Sequence, residues 1–302
     1  MTYPRFLDIP ESPADVADVL LLPLPFEGTV TYGQGTAEGP LAIWKASGQI
    51  EDLDDELDLD LFSIKYHSAP PLEPRKDEKP KVYLRRVAEA ARKLHAHGGL
   101  VFGIGGEHSV TPALVRGAAS KIQDMSQLTV VQFDAHADLR DTYEDTPFSH
   151  ACAMRRVVEM GASVIAIGIR SADRQEAEFG RQCGRVWTFS AQALATNPKT
   201  EKELLETLGT LAGDVYLTFD IDALETYLCP GTGTPQPGGL GWWQALRYLR
   251  RLLLENPSIR LAGCDLAETA PQPGTRVNEF IAARLACKII AYHHRQKSDR
   301  IA

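Results

Sequence analysis

The chain has 302 residues, 44% of them hydrophobic and 24% charged, with a formal net charge of -8. That balance suits a soluble globular protein with a large core and argues against nucleic acid or an anionic membrane surface as partner. Five cysteines (Cys152, Cys183, Cys229, Cys264 and Cys287) form no CxxC pair, and the sequence has neither a signal-peptide pattern at its start nor a run approaching the roughly 20 apolar residues of a membrane span, so a reducing cytoplasm is the expected setting.

In chain order, short apolar runs rich in β-branched residues predict strands at Val16–Leu22, Leu100–Ile104, Leu128–Phe133, Val164–Ile169, Val186–Phe189, Val215–Phe219 and Ile259–Cys264, with a weaker candidate near Ile64–Ser68. Helical periodicity predicts Pro40–Gln49, Lys81–His97, Pro112–Gln123, Ala151–Met160, Asp173–Cys183, Glu201–Leu211, Trp242–Glu255 and Arg276–His293 between them. Strands alternating with helices of this length imply βαβ units, and the strands' unbroken apolar character implies cover on both faces. The expected fold is therefore an α/β protein: a single three-layer α/β/α domain over residues 1–302, with a mainly parallel sheet of about eight strands. Two polar segments carry no chemistry in this reading. His67–Pro80 is taken as a surface loop, and the acidic run Glu51–Asp60 as a solvated edge.

In open α/β sheets, chemistry collects beyond the carboxyl ends of the strands. Four of the predicted strands end in acids or imidazoles: GGEHSVT with His108, DAHAD with Asp134, His136 and Asp138, DIDALE with Asp220 and Asp222, and DLAE with Glu268. In an extended chain, alternate residues share a side, so Asp134, His136 and Asp138 are expected to converge, as are Asp220 and Asp222. Carboxylates crowded together in a dry site are driven towards the neutral form unless a cation joins them. Four Asp and two His suit two metals bridged by shared carboxylates. The oxygen-rich, thiolate-free set favours Mn²⁺ over zinc or copper and leaves nickel, cobalt and iron open.

The motifs GGEHSV, FDAHADLRD, SHACAMRR and TFDIDALETYLCPGTGTPQPGGL, with TYGQGTAEGPLAIWKAS near the start, resemble the ureohydrolase superfamily of arginases and agmatinases, most closely the agmatinases, in order and spacing over nearly the whole chain. The resemblance implies an arginase-like fold, two Mn²⁺ per chain and a homo-oligomer, trimer or hexamer. It implies that His108, Asp134, Asp138 and Asp220 hold one ion and Asp134, His136, Asp220 and Asp222 the other. Asp134 and Asp220 would bridge. Glu107 stands where many members have Asp, and Glu225-Thr226 replaces the usual Asp-Pro; neither is a ligand position.

Asp138, His150 and Glu268 are the expected catalytic residues. A water shared by two divalent ions ionises near pH ~7 and can attack a guanidinium carbon. Glu268 would grip the guanidinium through charge-assisted hydrogen bonds, and His150 would carry a proton to the leaving amine. Asp141 and Glu144, with Asp145 beside them, are expected near the substrate's tail, where acids suit an ammonium and repel a carboxylate. The expected reaction is agmatine to putrescine and urea, a step in polyamine biosynthesis. The alternatives are another guanidine (guanidinobutyrate held by Arg140, or arginine) or a metal-binding homologue without activity. The loop Pro230–Leu240 lacks the Lys-Ser/Thr of a phosphate loop and is expected to be a rigid wall beside the metals.

Overall fold

The computed structural model describes residues 3–122 and 124–301. Strands and helices alternate in the order β1 (Val19–Leu24), α1 (Gly39–Ser47), β2 (Leu53–Asp54), β3 (Leu59–Asp60), β4 (Tyr66–Ser68), α2 (Pro80–His95), β5 (Leu100–Gly105), α3 (Thr111–Ala118), β6 (Thr129–Phe133) and α4 (Ala153–Glu159). They continue with β7 (Ser163–Ile169), α5 (Arg174–Gln182), β8 (Val186–Ser190), α6 (Ala191–Thr196), α7 (Pro198–Thr210), β9 (Gly213–Asp220), α8 (Trp242–Leu253), β10 (Ile259–Ala267) and α9 (Val277–Ile301). Eight strands form one parallel sheet in the order β4-β1-β5-β10-β9-β6-β7-β8. The expected α/β fold with helices on both faces is what the chain adopts.

The strand sequences explain the layering. Side chains alternate across a strand, and in β6 Val130 enters the cluster packed by α2, α3 and α4, while Val131 and Phe133 enter the one packed by α1, α8 and α9. All of β1 and β5 is buried. Burying each such side chain is worth roughly 1.5–3 kcal/mol, which is why continuous apolar runs locate these strands. Pro23 sits inside β1 without breaking the ladder, because its carbonyl is met by Leu72 beyond the end of β4 and a donor there is not required.

Several boundaries differ from expectation. The first strand starts at Val19, since Val16 is 51% exposed in a turn. The last helix runs beyond His293 to Ile301, and α6 was not foreseen. Of the expected helix Pro112–Gln123, α3 covers Thr111–Ala118, and Gln123 lies outside the described residues.

Except at Asp54, the acidic run is mostly exposed, as expected. Its strands β2 and β3 pair antiparallel, and they bring Asp54, wholly buried, against α9. Lys288 Nζ donates to both Asp54 oxygens at 2.9 Å and to Glu56 at 2.7 Å. Although burial raises Glu56, the hydrogen bonds from Lys288, Tyr292 and Arg250 hold it at about 2, so it contributes stability above its ordinary range and loses it only as pH falls towards 2. Hydrophobic pattern carried no sign of this pairing, which joins residues 234 positions apart.

Removing one partner of a buried pair strands the other's charge. Lys288→Met is expected to lower stability by about 3–5 kcal/mol, with much of that recovered in Asp54→Asn/Lys288→Met. Urea denaturation checks it; a Lys288→Met chain as stable as the parent would remove the pair from the account of folding.

Candidate metal centre

The four acid- or imidazole-bearing strand ends belong to the four adjacent strands β5, β10, β9 and β6. Register sets their level. Phe133 pairs with Phe219, Leu266 with Phe219, and Ala267 with Asp220, so Asp134, Asp220 and Glu268 emerge side by side.

The side chains meet, but by a different local route from the one expected. β6 ends at Phe133, and Asp138 turns back with φ 53°, so Asp134, His136 and Asp138 do not lie along one extended strand. Asp220 is the last residue of β9, and Asp222 sits in the short 3-10 turn that follows. Positive φ recurs at Glu268 (64°). Non-glycine residues persist there only where surrounding contacts over-determine them. Asp138 is fixed through its carbonyl, which accepts from Arg155 N, and Glu268 through its own N–H, donated to Gly106 O.

Two donor clusters result, His108–Asp134–Asp138 and Asp134–His136–Asp222, sharing Asp134. His108 Nδ1 lies 2.9 Å from Asp138, 3.1 Å from Asp134 and 3.6 Å from Asp220. His136 Nδ1 lies 2.9 Å from Asp222 and 3.7 Å from Asp134. Donor atoms held about 2.1 Å from one small cation at right angles stand roughly 3 Å apart, so these spacings fit an ion between them. The charges agree. Burial, with repulsion from Asp134, pushes Asp138 up to about 7, and burial with its carboxylate neighbours raises Asp220 well above the usual range. Burial alone would raise Asp134 and lower His136, yet their mutual attraction and that of His108 and Asp222 hold Asp134 low and His136 at about 11. The cluster thus gathers protons because it wants positive charge, and divalent cations supply it without them.

Further contacts orient the ligands. His108 Nε2 meets Thr218 Oγ1 at 2.8 Å, and Thr218 donates its own proton to the buried Asp265 at 2.7 Å. His108 Nε2 must then be the donor, which leaves the Nδ1 lone pair facing the carboxylates. Gln132 donates to Asp134 at 2.8 Å, Ala135 N to Asp222 at 3.0 Å and Asp222 N to Asp220 at 2.9 Å. Thr218 and Asp265 open two of the quoted motifs and Gln132 directly precedes a third, but the motifs assign none of them a role; each lies inside an apolar strand, and a polar residue in such a run is the signal that could have found them.

The clusters open into a cleft of about 120 Å³, sized for a small molecule and also lined by Thr31, Arg140, Tyr143, His150, Asp173, Glu176, Thr234 and Glu268. His150 and Glu268 are where the motifs place them. Burial, with the neighbouring His108 and His136, pushes His150 down to about 4. Glu268 Oε1 accepts from His108 N at 2.7 Å. Asp141 and Glu144 are corrections. Both are exposed and neither lines the cleft; Asp141 turns outward to Arg156 at 2.8 Å. The further acids that line the cleft are instead Asp173 and Glu176, whose side chains also form the capping box of α5. Arg140 does face the cleft, stacked 4.6 Å over Tyr143 and held 3.2 Å from Asp173 and 3.6 Å from Glu176. The Pro230–Leu240 wall is tied down by Arg170, whose guanidinium donates to the carbonyls of Asp222 and Gln236, each at 2.7 Å. Glu225 accepts from Gly238 N in the same wall. Among the described residues, no helix is long and apolar enough to cross a membrane.

Comparison with known proteins places the chain. The family model described as the arginase family matches residues 17–293. An N(1)-aminopropylagmatine ureohydrolase of Synechocystis is 38% identical, covering 92% of this chain and 90% of that protein. An agmatinase of Pyrococcus horikoshii is 32% identical, covering 96% and 97%. The crystal structure of an agmatine ureohydrolase of Thermoplasma volcanium, 24% identical, superposes with a TM-score of 0.87 over 99% of this chain and 97% of that one, which establishes a shared fold.

Because ligands must shed protons to bind, metal affinity is expected to weaken markedly between pH 8 and pH 6, with proton release on binding. Asp134→Ala should empty both positions and His108→Ala one more than the other, while Thr218→Val should weaken binding by about 10–100-fold. Elemental analysis and calorimetric metal titration check these; a parent chain that retains no divalent ion would sink the assignment.

Proposed function

This chain belongs to the arginase family and is a ureohydrolase, and we propose that its substrate is agmatine, cleaved to putrescine and urea. The observation that carries this is one cleft lined by members of the two Asp/His clusters, by the Glu268 carboxylate and by Arg140, Asp173 and Glu176, a group of net negative charge. We take His108, Asp134, Asp138 and Asp220 to hold one Mn²⁺ and Asp134, His136, Asp220 and Asp222 the other. Bound there, the pair supplies a water acidified to near neutral pH.

The remaining steps belong to the protein. One oxygen of Glu268 is anchored by His108 N–H, which leaves the other to take guanidinium N–H groups in the planar geometry such forks favour. Asp138, besides its ligand role, lines the same cleft as Glu268 and His150. His150, kept neutral at pH 7, takes the proton that the attacking water releases and passes it to the leaving nitrogen as the C–N bond breaks; the water's second proton, released as the urea carbonyl forms, then completes the ammonium, so the products are a protonated amine and neutral urea.

Asp173 and Glu176 outnumber Arg140 at the tail, and Arg140 is already paired with both. An ammonium meets net negative charge there, whereas a carboxylate must displace an existing ion pair. A second reading rests on the 38% identity to the Synechocystis protein: N(1)-aminopropylagmatine, whose longer cationic tail would extend past Asp173. We further propose a cytoplasmic homo-oligomer, on composition and family.

Urea release from manganese-loaded enzyme is expected to favour agmatine or N(1)-aminopropylagmatine over arginine and 4-guanidinobutyrate by at least about tenfold, a difference of about 1.4 kcal/mol. Guanidinobutyrate as the best substrate, with that preference lost in Arg140→Ala, would overturn the assignment. Glu268→Gln should abolish turnover with metal retained, and His150→Asn should lower kcat by about a hundredfold.

A further inference from the structure

Glu107 is wholly buried, touches no substrate cleft and is no ligand, yet it collects four hydrogen bonds. Gly28 N and Thr29 N donate to Oε2 at 2.7 Å each; Thr29 Oγ1 and Ser109 Oγ donate to Oε1 at 2.6 and 2.5 Å. The segment carrying Thr29 is pressed onto Gly106 and Glu107, where Glu107 N donates to Phe26 O at 2.9 Å and a Cβ at Gly106 would stand 2.1 Å from that oxygen. Thr29 in turn reaches His150 twice. His150 N donates to Thr29 Oγ1 at 3.1 Å, and His150 Nδ1 lies 3.3 Å from the same oxygen.

We propose that Glu107 and Thr29 are positioning residues for His150, setting which ring nitrogen faces the cleft and which one carries the resident proton. The argument is one of proton count. A hydroxyl has one proton, and Thr29 commits it to Glu107, since an ionised carboxylate can only accept. Towards His150 the Thr29 oxygen can therefore only accept. Its contact with Nδ1 at 3.3 Å, shorter than the 3.5 Å to Ser149 Oγ on the same nitrogen, is favourable when Nδ1 carries hydrogen, and Ser149 Oγ can accept there as well. In the neutral ring this leaves Nε2 without a proton, free to receive one and hand it on, while the Nδ1–H stays on Thr29 throughout. A carboxylate that fixes a histidine tautomer without itself exchanging protons is a known way to make an imidazole effective; here a threonine stands between them. Glu107 serves this better than an apolar residue would, because four donors also fix its own orientation.

The inference rests on the shuttle role proposed for His150, and the test separates the two. In the manganese-loaded enzyme, Thr29→Val removes the acceptor and nearly conserves shape. It is expected to lower kcat by about 10–100-fold, with KM and metal content close to the parent's. Thr29→Ser should restore most of kcat, and Glu107→Gln should fall with Thr29→Val, since an amide N–H₂ facing the hydroxyl reverses its proton. The deficit should shrink for guanidines with a less basic leaving amine, which need less proton delivery, and Thr29→Val should add no further loss to His150→Asn. Thr29→Val at parental turnover, a loss confined to KM or metal content, or a Thr29→Ser no better than Val would overturn the positioning role. His150→Asn at parental turnover would instead overturn the shuttle reading itself.

Discussion

Everything at the carboxyl end of this sheet depends on one electrostatic constraint: four aspartates share a dry space of a few ångströms. Asp134, Asp138, Asp220 and Asp222 are all nearly or fully buried. As bare carboxylates they would repel one another strongly, and the protein's own answer, protons on His108, His136 and Asp138, offsets only part of that. The backbone is bent to keep them there, through positive φ at Asp138 and a turn immediately after Asp220. An arrangement so unfavourable without cations is maintained by the rest of the fold, by the buried strands whose register levels the four chain ends and by the backbone N–H groups that pin Asp134, Asp220 and Asp222.

The parts of this that could be read in the sequence are those that repeat at short range. All eight strands of the sheet and most helices follow from hydrophobic runs, because burial on both faces keeps most of the strands predominantly apolar. The ligands and Glu268 follow from their place directly after such runs. What could not be read depends on partners far apart in the chain. The Asp54–Lys288 pair looked like a solvated acidic run. The convergence of Asp134, His136 and Asp138 was expected from strand alternation, and it arises instead from a left-handed turn that residue type does not announce. The loop acids show the same limit. Asp141 and Glu144 have the right charge and the right neighbourhood in sequence, yet Arg155 and Arg156 draw Asp141 outward, and the cleft takes its tail acids from the next helix.

Arg140 illustrates how a charge argument changes once direction is known. In sequence it is a free cation suited to a substrate carboxylate. In the fold it is bracketed by Tyr143, Asp173 and Glu176, so its charge is balanced within the protein and the three charged groups sum to a negative charge. The conclusion about substrate tail, an ammonium, is the one the loop acids suggested, but it now stands on different residues.

The two histidines on either side of the reacting space are handled by one device with opposite results. Each meets a threonine hydroxyl whose proton is committed to a buried carboxylate: Thr218 to Asp265 beside His108, and Thr29 to Glu107 beside His150. Each hydroxyl can then only accept from its imidazole. At His108 the accepted hydrogen sits on Nε2, which turns the Nδ1 lone pair towards the aspartates, as a metal ligand requires. At His150 it would sit on Nδ1, leaving Nε2 for the proton transfer proposed for this residue. On this proposal the choice between ligand and shuttle follows from which ring nitrogen the threonine reaches: Thr218, in β9, meets Nε2 of His108, whereas Thr29, in the loop after β1, meets Nδ1 of His150. Two residues of the same type are thereby given different chemistry by neighbours that never touch the substrate.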